Sequence, residues 1–182
     1  SLLFSRLNLG YRHILPLLPF LYLLAGPVTR QIQKTNSKLF LFGLITLVLA
    51  INLSIYPYYL GYFNQLAGGP SNGYRYLVES NLDWGQELPR LAQFQEDNQT
   101  GPIALAYFGS AHPEAYGLDY SCLPSYGWLD CPENRLPDSG WVAVSATCLQ
   151  GLCTSNPDFY AQLRSRQPDA VIGYSIFVYN LP

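Results

Sequence analysis

The run Leu39–Ile55, LFLFGLITLVLAINLSI, contains no charged residue. A helix rises 1.5 Å per residue, so about 20 apolar residues cross a hydrocarbon core of about 30 Å. Tyr56, Tyr58 and Tyr59 follow, as expected where a helix leaves the membrane through an aromatic belt. Charge is absent over a still longer stretch: the 36 residues between Lys38 and Arg75 hold no Asp, Glu, Lys or Arg. The alternative is a buried helical hairpin of a soluble protein. It is disfavoured because the run has no polar face to turn to water.

A second uncharged stretch of 17 residues lies between Arg12 and Arg30. Within it Ile14–Val28 is somewhat short for a span unless Tyr11 assists. Pro16 falls in the first turn, where a missing N–H costs little, and Pro19 is expected to kink the helix. The sequence therefore predicts two transmembrane helices, about 12–28 and 38–58, joined by a connector over 29–37. That connector carries Arg30, Lys34 and Lys38 and no acid. Positive charge favours the cytoplasmic side, which places Arg12 and everything after Tyr56 outside the cytoplasm. Arg6 and Arg12 on the opposite flank weaken the bias. The chain holds no Met, so its natural start is expected upstream. Pro16 and Pro19 interrupt the apolar run that a signal peptide would need.

From about Arg75 the composition is that of a water-soluble domain of roughly 100 residues, enough for one modest core. The stretch 66–73, LAGGPSNG, reads as a turn-rich boundary. Residues 61–82 are read as an interfacial loop and 83–182 as an extracytoplasmic α/β domain. Asp83-x-x-Gln86 has the form of a capping box and predicts a helix to about Asp97, although Pro89 conflicts with a start at Asp83. Ile103–Phe108 and Trp141–Ala146 read as buried strands, with a short strand near Tyr120–Leu123. Asn156-Pro157-Asp158 opens a predicted helix to about Arg166. Ala170–Tyr179 reads as the last strand. Strand, helix and strand in this order predict a small sheet with a parallel component.

All four cysteines, Cys122, Cys131, Cys148 and Cys153, fall in this domain. An even number in an exported domain points to disulfides, and proximity favours Cys122–Cys131 with Cys148–Cys153. A four-cysteine zinc site is the rival, but the spacings lack the tight C-x-x-C knuckle. The net charge of −2 and the absence of a basic cluster argue against nucleic-acid binding. No cofactor motif is present. Pairs such as Glu79 with Asp83 or Glu114 with Asp119 are at spacings common by chance in loops. Ser110, His112 and Asp119 lack the nucleophile elbow of a hydrolase. Asn98–Thr100 matches a glycosylation sequon, a weak signal.

Several blocks resemble a known family. These are YRHILP at 11–16, YFNQLAGGP at 62–70, NLDWGQ at 81–86, AYFGS at 106–110 and IGYSIFVY at 172–179. Together they resemble the C-terminal region of bacterial polytopic glycosyltransferases of the GT-C type, the group of protein O-mannosyltransferases and the aminoarabinose transferase of lipid A. The resemblance covers nearly the whole chain, and the 62–70 and 81–86 blocks are its specific part. It implies transfer of a sugar from a polyprenyl-phosphate carrier to a glycan, lipid or protein acceptor on the outer face of the cell membrane. It also implies an inverting mechanism, with the catalytic Asp in an early outer loop that these residues do not include. On this reading no catalytic residue lies here and the chain alone is inactive.

Arg12 and His13 are then candidates for the carrier phosphate, since a cation at the outer helix end suits it; the plainer role is an interfacial anchor. Asp83, Trp84 and Gln86 offer an aromatic face with carboxylate and amide groups, which suits a pyranose; the plainer role is a helix cap with Trp84 in packing. Tyr62 and Asn64 are candidates for the acceptor cavity; the plainer role is aromatic belt and helix stop. The alternative function is a non-catalytic, membrane-anchored module that binds a glycan or a partner.

Overall fold

The computed structural model describes residues 15–27, 35–127, 131 and 135–182. The chain divides into two compact units, Ser1–Tyr59 and Leu60–Pro182.

In the first unit, a 3-10 turn at Leu15–Leu17 leads into helix α1, Leu18–Ala25. Pro19 sits in the first turn of α1. The expected kink is therefore replaced by a start: a proline here deletes only an N–H that has no helical partner. Helix α2 runs Thr35–Ile55, 21 residues, or about 31 Å. Among the described residues it is the one helix long and apolar enough to cross a membrane. It begins earlier and ends earlier than 38–58. Pro57 explains the end, because a proline disfavours helical backbone at the residue before it. Three polar side chains of the apolar run fold back on the helix's own carbonyls. Thr46 donates to Phe42 O at 2.9 Å, Asn52 to Val48 O at 2.8 Å and Ser54 to Ile51 O at 2.8 Å. These three side chains thus find a partner within the helix, where hydrocarbon would offer none.

The second unit is built on a five-stranded sheet. Its strands are β1 (Ile103–Ala106), β3 (Tyr120–Cys122), β5 (Gly140–Ser145), β6 (Ala170–Ile172) and β7 (Ile176–Leu181), in the order β3-β1-β5-β7-β6. β1 runs parallel to both β3 and β5; β7 is antiparallel to β5 and to β6. The predicted parallel component is present. A separate parallel pair joins β2 (Phe108–Gly109) to β4 (Tyr126–Gly127). The Ala170–Tyr179 run is two strands rather than one. Gly173 and Tyr174 both take positive φ, 57° and 65°, and reverse the chain into a hairpin.

Side-chain alternation splits the core across the sheet. Ala104, Ala106, Val142, Val144, Phe177 and Tyr179 form one cluster with Val78, Leu82, Leu149 and Leu163. Ile103, Leu105, Tyr107, Ala143, Ile176 and Val178 form the other with Leu88 and Leu91. Val78 and Leu82 come from the 61–82 stretch, which thus contributes to this core.

Helix α4 is Leu88–Asn98, with Pro89 in its first turn. The conflict posed by Pro89 resolves as a later start: proline fits the first turn, and the Asp83 and Gln86 side chains are engaged elsewhere. The helix expected over 156–166 shrinks to α6, Ala161–Arg164. Its opening residues form a turn instead, in which Asn156 Oδ1 accepts from the Asp158 N–H at 3.1 Å. Two further short helices are α3, Pro70–Gly73, and α5, Ala146–Leu149, the latter capped by the Ser145 side chain. Disulfides join Cys122 to Cys131 and Cys148 to Cys153, as proximity suggested.

Candidate functional site

In a sheet of order β3-β1-β5-β7-β6, the chain leaves β1 toward β3 and leaves β5 toward the other edge. The carboxyl ends of β1 and β5 therefore bound a crevice, the usual place for a ligand in open α/β sheets. Here the chain itself crosses that crevice. Val78 and Leu82 pack on one face of the sheet, Leu88 and Leu91 on the other. Asp83–Glu87 is the bridge between them. At the β5 end, the Glu79 N–H donates to Thr147 Oγ1 at 2.9 Å. At the β1 end, Gly85 and Gly109 press on the ring and hydroxyl of Tyr107, leaving no room for a side chain at either position. Their φ angles, 84° and 152°, are in the region that favours glycine.

Polar groups hold the bridge. The Asp83 side chain is fully buried, and its Oδ1 accepts from the Gly85 N–H at 3.0 Å. Gln86 Oε1 accepts from the Trp84 N–H at 2.8 Å, and its Nε2 donates to Leu82 O at 3.1 Å. The backward reach of Gln86 expected from a capping box is present, but it serves a loop and not a helix start. Glu87 is 3% exposed and pairs with Arg90 at 2.7 Å. Its carboxylate lies against the backbone of Gly173. Asp83 Oδ2, the Tyr107 hydroxyl and Ser175 Oγ are buried without a hydrogen-bond partner.

Electrostatics follow from burial. Desolvation pushes the Asp83 carboxyl up to about 7; the Gly85 N–H pulls it down and the nearby Glu87 carboxylate adds to the rise. Burial also pushes the Tyr107 hydroxyl up to about 12, with the Ala111 backbone opposing and Asp83 reinforcing.

The residues predicted for a site thus part company. Trp84 is 54% exposed, and its indole N–H donates to Ser80 O at 2.9 Å. The ring is fixed from beneath while much of it stays open. Asp83 is sealed in and Gln86 is engaged in holding the loop, so neither side chain is free to meet a sugar. Tyr62 and Asn64 are exposed, either side of Phe63, which packs on the core. Arg12 and His13 lie outside the described residues. Among the described residues no group of His, Cys, Asp and Glu is placed to hold a metal ion.

Two open clefts, of about 830 and 600 Å³, are lined by other residues. Asp138 in the first precedes β5, and Gly101 and Asp119 in the second precede β1 and β3. Both therefore lie toward the opposite end of the parallel strands from the Asp83–Glu87 bridge.

Sequence reasoning missed Tyr107 and Glu87. Tyr107 ends an apolar run and reads as ordinary core. The signal was indirect: Gly85, Gly109 and Gly173 mark three places where backbone meets a buried side chain. No protein-family model, curated protein or solved structure matches this chain.

Proposed function

We propose that this chain is the C-terminal part of a membrane glycosyltransferase that moves a sugar from a polyprenyl-phosphate carrier to an acceptor outside the cytoplasm. The observation that supports this reading most is a convergence. Four blocks that carry the family resemblance, 62–70, 81–86, 106–110 and 172–179, gather at one edge of the sheet. Gly61, beside the first block, abuts Gly173 and Tyr174 of the last. Gly85 and Trp84 of the second abut Tyr107 and Gly109 of the third. A long apolar helix and two disulfides fit an exported domain tied to the cell membrane.

In this proposal the helices near 12–28 and 38–58 belong to a larger multi-pass bundle. Arg12 and His13 hold the carrier phosphate by charge-assisted hydrogen bonds. Trp84, Tyr62 and Asn64 present the open aromatic and amide surface to sugar or acceptor. Asp83 and Gln86 act as positioning residues that fix the Trp84 loop. Transfer breaks the bond between the sugar anomeric carbon and the carrier phosphate oxygen, and forms one to the acceptor oxygen. The carrier phosphate leaves, and a base outside these residues takes the acceptor proton. A second reading, a non-catalytic glycan-binding module, draws on the exposed Trp84 ring with its buried, unavailable carboxylate neighbour.

The test uses membranes from cells that make the intact protein, supplied with a radiolabelled polyprenyl-phosphate sugar. The proposal expects label to leave the carrier, and Arg12→Ala to raise the carrier concentration for half-maximal rate roughly tenfold, the scale of one lost charged hydrogen bond. Carrier turnover equal to that of membranes lacking the protein would rule out the transferase and leave the binding module. Turnover with unchanged carrier affinity in Arg12→Ala would remove the phosphate role alone.

A further inference from the structure

We infer that Thr147 is a positioning residue for Trp84: its buried hydroxyl pins a strained turn at Glu79, and that turn carries the carbonyl on which the indole rests. Use of the placed ring in sugar recognition rests on the reading of Trp84 under the proposed function; the relay itself lies wholly within the sheet domain.

The relay starts in the sheet. Thr147 is the second residue of α5, which follows β5 without a break, and it is fully buried. The start of α5 is fixed: the Ala146 N–H donates to Ser175 O at 2.7 Å, and Ser145 Oγ accepts from the Cys148 N–H at 3.4 Å. The Thr147 hydroxyl therefore has a set position, and its oxygen accepts from the Glu79 N–H at 2.9 Å. Glu79 needs that hold. Its φ is 56°, a conformation that strains a residue with a Cβ and persists only where the surroundings enforce it.

The turn then reaches Trp84 by two routes. Glu79 O accepts from the N–H groups of Leu82 and Asp83, both at 2.9 Å, which closes the 3-10 turn Glu79–Asn81 and sets the start of the Asp83–Glu87 bridge. Ser80 O, one residue on, accepts from the Trp84 indole N–H at 2.9 Å. Moving Glu79 thus moves both the backbone before Trp84 and the acceptor on which its ring leans. The Gln86 side chain holds the Trp84 N–H from the other side. The residue is fastened at two points while its side chain remains largely exposed.

Core packing does not require this of an exposed ring, but recognition does. A ring ordered before a ligand arrives gives up less conformational freedom on binding, and supporting hydrogen bonds hold the geometry that a site needs. Packing and positioning by Thr147 separate by substitution. Thr147→Val keeps the branched shape and deletes the acceptor for the Glu79 N–H. Thr147→Ser keeps that acceptor and gives up a methyl group.

The experiment uses the intact protein in detergent, with Trp84 emission read as the difference between each chain and the same chain carrying Trp84→Phe. Thr147→Ser is expected to leave iodide quenching of Trp84 as in the wild type. Thr147→Val is expected to red-shift the emission and to raise quenching by up to about twofold, since the ring is already half-exposed. In membranes supplied with radiolabelled polyprenyl-phosphate sugar, turnover per folded molecule should fall about tenfold in Thr147→Val and less than about twofold in Thr147→Ser. If Thr147→Val does not fold, it is read together with Glu79→Gly, which adopts a φ of 56° without strain, and changes in the same direction are expected. Trp84 quenching that is equal in the Val and Ser variants, or turnover lost equally in both, would overturn the inference. The optical contrast needs no sugar donor, so absence of transfer by the wild type would count against the transferase proposal alone.

Discussion

The hydroxyl of Tyr107 occupies the space that a side chain on Gly85 would need. Tyr107 directly follows the first parallel strand, β1, and Gly85 sits in the loop that crosses its end, so this contact locks the bridge onto the sheet. Gly85→Ala would force a methyl group into that hydroxyl at a backbone φ of 84°. The expected loss is about 2–4 kcal/mol, from overpacking together with positive-φ strain. Tyr107→Phe removes a buried hydroxyl that has no hydrogen-bond partner, so it is expected to be neutral or to stabilise by up to about 1 kcal/mol. In Gly85→Ala/Tyr107→Phe part of the loss should return. Denaturant unfolding of the four chains in one detergent gives the comparison; independent, additive effects would show that the two residues do not meet.

Asp83 makes stability depend on pH. Its carboxyl is raised from 3.8 to about 7 in the folded chain. Below about pH 4 both folded and unfolded states hold the proton, and its contribution is fully present. Between 4 and 7 the unfolded state releases the proton while the folded state keeps it, so stability falls as pH rises, by at most about 1.4 kcal/mol per unit. Above 7 the loss is complete. Asp83→Asn keeps the acceptor for the Gly85 N–H and carries no charge. It should flatten this slope, with its largest relative gain above pH 7. Unfolding free energies at pH 4.5 and 8 decide it; parallel curves for the two chains would contradict the buried, proton-holding Asp83.

Both disulfides should be present in protein isolated from the membrane without reductant. A peptide map is expected to contain Cys122 linked to Cys131 and Cys148 linked to Cys153. The loops are short, with separations of 9 and 5 residues. Loop-closure entropy therefore assigns about 2–3 kcal/mol to each. Replacing either pair by alanine should lower unfolding stability by that order, and free thiols at all four positions in the isolated protein would contradict an exported domain.

These outcomes also show which parts of the chain were legible. α2 could be read because nothing in it competes with a single apolar helix. β1 and β5 were legible as short apolar runs between turns. The Ala170–Tyr179 run was misread because both arms of its hairpin are equally apolar in sequence, although β6 is partly exposed and β7 buried; only Gly173 signalled the reversal. At Asp83-x-x-Gln86 the residue pattern was right and its structural use wrong. Pro89 was the truer marker of the helix start, since proline suits only the first turn. Of the candidate site, the surface placement of Trp84, Tyr62 and Asn64 was legible. Its scaffold was not, because Tyr107 and Glu87 meet the bridge through tertiary contacts that no local pattern encodes.

The central claim is that α2 crosses the membrane and carries the disulfide-bonded sheet domain to the outer side. Fusing a reporter after Pro182 tests it most directly. Bacterial alkaline phosphatase, which folds only where disulfides form, should be active there, and green fluorescent protein exported by the same route should be dark. A silent phosphatase with a bright fluorescent fusion would place the domain in the cytoplasm and contradict the account.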